Sequence, residues 1–244
     1  MYTFKQFYDL IFEQDNSLTD YLKKHESALK NSKKFIQKCI AELSREKPPI
    51  FFTMLKQFKI IPTDQVDTMA VDDCGNLYYN PMFVMEELVD DNNSDVVKGV
   101  LVHEVMHIID RTHNREKVGR EKLFNDNTKL HMRQIAHQIG NLAFDLIINR
   151  DVTLAGYKLP SAGIIPEFRT DSDGKQRAFY KFDLTIPGDT TPDIVEVDIT
   201  RFTSEKAYDM FVWAHKKAIT KLYNANMINE KQYNKYMQIM EEIK

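Results

Sequence analysis

The segment Val100-Leu101-Val102-His103-Glu104-Val105-Met106-His107-Ile108-Ile109 constrains this chain more than any other. Two histidines four positions apart interrupt a largely apolar run. On a helix such residues lie about 40° apart around the axis and about 6 Å apart along it, so both imidazoles reach one ion from the same side. Glu104 stands about 100° further round, close enough to hold and deprotonate a water that the ion activates. Upstream, Ser94 is a candidate N-cap, and Asp95 puts negative charge in the first turn, where the orphan N–H groups favour it. The competing reading is a helix with two satisfied structural histidines. Half-buried imidazoles need a partner, and an apolar context of this kind favours a shared metal.

Composition narrows the function classes. The chain has 244 residues, enough for one substantial core or one domain with helical additions. A formal charge of -3, with bases and acids interleaved, gives no electrostatic case for nucleic-acid binding. Cys39 and Cys74 are too few for a disulfide framework and point to a reducing compartment. The N-terminus lacks a basic region followed by an apolar core, and no uncharged apolar stretch reaches membrane-spanning length. The expectation is a cytoplasmic protein with no membrane partner.

Apolar periodicity and punctuation predict an α+β chain that is mostly helical with a small antiparallel sheet. Residues 1–45 read as two helices, the second from about Leu18 to Leu43. They form either a cover or partner-binding hairpin, or a solvated extension, ahead of a main domain over 46–244. Pro48-Pro49 can open a helix from Phe51 to Phe58. Thr68–Val71 and Asn76–Tyr79 read as a strand pair turning at Gly75. Asn80-Pro81 starts a helix to about Val89, and the motif helix runs to about Thr112. A long helix covers Thr128 to Arg150. Residues 151–200, broken by Pro and Gly, read as irregular chain that lines a cleft or wraps the domain. The cluster Asp171-Ser172-Asp173-Gly174 reads as a turn, since it lacks the rest of a calcium-ligand ladder. Helices from about Thr203 to Leu222 and Asn229 to Ile243 close the chain.

A catalytic zinc takes three protein ligands and leaves a position for water. The long helix after Thr128 carries a polar stripe, His137, Asn141, Asp145 and Asn149, through an otherwise apolar surface. Buried Asp, Asn and His need dedicated partners. Asp145 can reach the ion if the two helices cross, with Asn141 or Asn149 steadying it. His113 is the alternative third ligand, and His137 a more remote one. His113 stands six residues beyond His107, as in the long motif of metzincin peptidases, but Asp110 replaces their turning glycine. If the helix continues, His113 sits about 80° round from His103 and about 15 Å along, out of reach of the same ion.

The order of these motifs resembles the metallopeptidase domain found at the N-terminus of bacterial and phage proteins that often carry a von Willebrand factor A-like domain behind it. The matching stretches are Thr68–Asp72, Leu77–Pro81, Gly99–His107, His113 with Arg115, Asn141–Asn149, Leu159-Pro160 and Phe202–Tyr208. Together they span about 48–220. The resemblance implies a zincin-like fold with an active-site helix, one Zn²⁺ per chain, and zinc-dependent hydrolysis of a peptide or protein substrate. It carries His103 and His107 onto metal ligation and Glu104 onto the general base. It marks Asn141, Asp145 and Asn149 as a functional cluster, and His113 and Arg115 as residues that orient the active helix. No room remains after Lys244 for the von Willebrand module, so a standalone, phage-type version is expected.

In such a site Glu104 takes a proton from water and returns it to the leaving amine. Oxyanion charge needs a further donor, for which Tyr78, Tyr79, Tyr157 and Arg115 are candidates. The Leu77–Tyr79 strand or its partner can pair with an extended substrate. Two other classes stay open. One is a degenerate zincin that binds a protein partner, with residues 1–45 as a contact surface. The other is a hydrolase acting on a non-peptide amide.

Overall fold

The computed structural model describes residues 26–46, 49–88, 94–110, 130–161 and 163–243. These fall into two compact units. The first comprises the described residues up to 110 together with Val152–Ser161, and the second those from 130 to 151 and from 163 to 243.

In the first unit, helix α1 (Glu26–Leu43) buries Phe35, Ile36, Cys39, Ile40 and Leu43. It packs against the motif helix α3 (Ser94–Ile109), so this part of residues 1–45 has its apolar face covered within the unit. Polar contacts fix the pair. Ser94 Oγ donates to Glu42 at 2.5 Å, and Lys98 Nζ lies 2.9 Å from Glu46 and 3.1 Å from Asp95. Burial pulls the Lys98 ammonium down, but the bonds to Glu46 and Asp95 outweigh it and hold its pKa above the ordinary value. Helix α2 (Ile50–Leu55) starts after Pro49 as expected but is shorter than Phe51 to Phe58, because a strand follows.

That strand, β1 (Lys59–Pro62), pairs parallel with β3 (Asn76–Tyr79), while β2 (Met69–Val71) pairs antiparallel with β3. The sheet is therefore mixed, in the order β1-β3-β2. The expected hairpin turns at Gly75, whose φ of +77° is a left-handed value that favours glycine. Buried Asp72 organises the turn by accepting from the backbone N–H groups of Cys74 and Asn76, the Asn76 side chain and the Tyr78 hydroxyl. Asn80 Oδ1 accepts from Met82 N at 2.9 Å, and the following helical segment winds as a π-helix over Phe83–Leu88.

The second unit is built on helix α4 (Leu130–Leu154), whose last turn belongs to the first unit. Ile139, Ala143, Leu146 and Ile147 join the core with Ile135 and Leu142 against it, the apolar surface that the spacing predicts. They meet Ala178 and Phe182 of β5 (Gln176–Asp183) and Phe211 of helix α5 (Ser204–Asn224). Strands β4 (Glu167–Thr170), β5 and β6 (Ile194–Asp198) form an antiparallel sheet in that order. Residues 151–200, expected to be irregular, thus hold a regular sheet. Asp171–Gly174 is the turn between β4 and β5, with Asp171 Oδ1 accepting from Asp173 N and Lys175 N. Thr203 caps α5, and Asn229 caps helix α6 (Glu230–Glu242) in a reciprocal box with Gln232.

Arg150 is the main buried cation of this unit. It is 8% exposed, its Nη1 donates to the carbonyls of Ile199 and Phe202 at 2.8 Å, and its Nε donates to Asp151. Arg150→Met should cost about 2–4 kcal/mol, because two carbonyls lose a charged donor inside the core. Urea unfolding should show a lower midpoint at unchanged slope. A midpoint equal to wild type would mean that water replaces the guanidinium without loss.

Candidate metal centre

Helix α3 is buried along most of its length, including Val97, Leu101, Val102, Glu104 and Val105. His103, Met106 and His107 are half-buried and mark its more open side. The i, i+4 spacing brings the imidazoles together as helical geometry requires. Their Nε2 atoms lie 2.9 Å apart, and the rings meet edge to face with centroids 4.7 Å apart. The helix ends at Ile109, with Asp110 N still donating to Met106 O at 2.8 Å. His113 and Arg115 lie outside the described residues.

Among the described residues, His103, His107 and Asp145 form a cluster able to hold a metal ion. Each offers one ligand atom, and these atoms all lie within 4.8 Å of one another. The donor set fits the ion that the motif implies. Two nitrogens bonded to one tetrahedral zinc lie about 3.3 Å apart, close to the imidazole separation here, and two neutral rings with one carboxylate leave the ion a net positive charge. Glu104 follows His103 directly and is 6% exposed. A carboxylate this deep needs compensating contacts.

The rest of the stripe on α4 divides its work. His137 Nε2 and Asn141 Nδ2 are 3.3 Å apart, so Asn141 engages the histidine one turn earlier. Asn149 is buried and donates to Ile164 O at 3.1 Å, which ties α4 to the chain leading into β4. The tyrosines sit in different surroundings. Tyr78 donates to Asp72, Tyr79 is fully buried, and Tyr157 packs edge to face on Phe51 with its centroid 5.8 Å away. Burial pushes the Tyr157 hydroxyl up to about 12, and the neighbouring Glu46 carboxylate adds to the effect.

Sheet order corrects one expectation. The Leu77–Tyr79 strand is the middle strand, with β1 on one side and β2 on the other, so it has no edge to offer a substrate. Its partner β2 is an edge strand and packs against α3. One structural residue was missed by sequence reasoning. Gly99, in the middle of α3, carries the backbone of Lys158 directly on its surface.

Residues 31–198 match the family described as "Putative metallopeptidase domain". The chain belongs to this family. The match begins inside α1, earlier than the expected 48, and ends with β6, so the Phe202–Tyr208 stretch lies beyond it. It concerns the metallopeptidase domain alone. With the His-Glu-x-x-His helix and the three-residue cluster, it makes this a zincin-type metallopeptidase-like domain of α+β, mostly helical architecture. No curated protein and no solved structure matches the chain. No helix among the described residues is long and apolar enough to cross a membrane.

Proposed function

We propose that this protein is a zinc-dependent peptide hydrolase in which His103, His107 and Asp145 hold the metal and Glu104 is the general base. The observation that carries the reading is the cluster of two imidazoles and one carboxylate within 4.8 Å, beside a buried glutamate on the same helix as the imidazoles. Three protein ligands with nitrogen and oxygen donors are the pattern of open, catalytic zinc sites, whereas structural sites use four ligands rich in cysteine. Zinc bound there supplies a Lewis acid that lowers the pKa of water to about 7. Glu104 takes the proton of the attacking water at a carboxylate oxygen and delivers it to the leaving amine nitrogen. An extended peptide would pair with β2, the outer strand of its sheet among the described residues, which packs against α3. Asn149 acts on the site indirectly, by tying α4 to the chain leading into β4, while Asn141 engages His137 on the same helix. A degenerate zincin serving only as a binding module would have no use for a buried carboxylate next to a ligand.

Gently purified protein should contain about one equivalent of zinc by elemental analysis, and chelated protein should take it up again. Finding no metal and no uptake would reject the site. Hydrolysis of a mixed peptide library, lost on chelation and regained with zinc, tests the activity. A non-peptide amide hydrolase would instead refill with zinc and leave the peptides uncut.

A further inference from the structure

We propose that Gly99 is a positioning residue for the metal centre, because the backbone of Lys158 crosses helix α3 there and anchors the end of α4 on the helix of the two histidines. The inference rests on the metal reading proposed above. A Cβ built at residue 99 would lie 1.8 Å from the Lys158 carbonyl oxygen and 2.8 Å from its carbonyl carbon, distances that no side chain tolerates. Glycine inside a helix costs about 1 kcal/mol relative to alanine, so helix propensity disfavours it here and close approach requires it. Gly99 also precedes His103 by four residues. The crossing therefore lies on the histidine face, about 6 Å before the first ligand.

The crossing chain is a stiff continuation of α4. That helix ends in a paired cap, with Gly156 N donating to Thr153 O at 2.9 Å and Tyr157 N to Val152 O at 3.2 Å. Gly156 takes the left-handed value of +90° that this cap requires. Only Tyr157 separates the cap from Lys158. Tyr157 is held on Phe51, and Lys158 Nζ reaches Asp95 of α3 at 3.3 Å.

Gly99→Ala should fold. A cavity of about 190 Å³ lined by Glu46, Asp95, Lys98, Gly156, Tyr157 and Lys158 gives the displaced segment room to move. In the full chain, stripped of metal and titrated with zinc against a chelator, the variant should bind at least about tenfold more weakly than wild type, the scale for losing a residue that orients ligands. The d–d absorption of bound cobalt(II) should also change, which a loss of packing alone would not produce. Lys158→Ala should bind zinc normally, because the crossing uses the main chain and the exposed ion pair contributes little. Zinc affinity and cobalt spectrum unchanged in Gly99→Ala would overturn this inference alone, whereas a wild type that binds no zinc would overturn the metal reading and this inference together. If Gly99→Ala does not fold, Gly156→Ala decides. Its Cβ meets nothing within 4 Å but strains the cap, so weakened zinc binding is expected and unchanged binding overturns the proposal.

Discussion

Glu104→Gln is expected to keep one zinc and the wild-type fold while lowering peptide hydrolysis by about 10²–10⁴-fold, the range for removing a positioned general base. The amide matches the carboxylate in size and hydrogen-bonding reach but cannot accept the water's proton. Glu104 is 6% exposed, so the folded fraction should be checked as well, because changing a buried charge shifts stability by itself. Metal content and turnover should be measured on the same sample. Turnover near the wild-type rate would reject Glu104 as the base. Loss of zinc along with turnover would make it a ligand.

The helical part of the fold was legible because several elements announce their own starts. Thr203 and Asn229 cap α5 and α6, and Pro49 precedes α2. The hairpin of β2 and β3 was legible from Gly75. The second sheet was not, although its signal was present. Ala178, Tyr180 and Phe182 alternate with Phe179 and Lys181, and Val195 and Val197 alternate with Glu196. Pro and Gly on either side made this stretch read as irregular, whereas they mark only the connections between short strands. Strand β1 escaped for a different reason. Its Lys-Ile-Ile-Pro run is too short to show a period, and Pro62 argues against a strand except at an edge, which is where β1 lies.

The site was more legible than the sheets, because helical spacing alone aims His103 and His107 at one point. That Asp145 joins them depends on tertiary packing, and the sequence offered only a polar stripe on an apolar helix as a pointer. The Gly99 crossing left a fainter trace. A glycine inside an apolar helix signals a close approach, but nothing in the sequence names Lys158 as the chain that approaches.

The largest effect on metal binding is expected at Asp145. If its carboxylate is the third ligand, Asp145→Ala removes both a donor and the only negative charge of the set. Zinc binding should then weaken by more than the roughly 10–100-fold that follows loss of a supporting partner. His113→Ala should stay close to wild type, since two imidazoles and the Asp145 carboxylate already supply the three protein ligands of an open zinc site. Titrations at matched pH decide between them, with folded fractions checked for both variants, because leaving a buried partner uncompensated destabilises a protein by itself. Tight zinc binding in Asp145→Ala together with weak binding in His113→Ala would reverse the assignment. The chain would then have to turn back soon after Asp110 to bring His113 to the ion. The polar residues of α4 would be left with the roles their contacts already describe, Asn141 beside His137 and Asn149 on the carbonyl of Ile164.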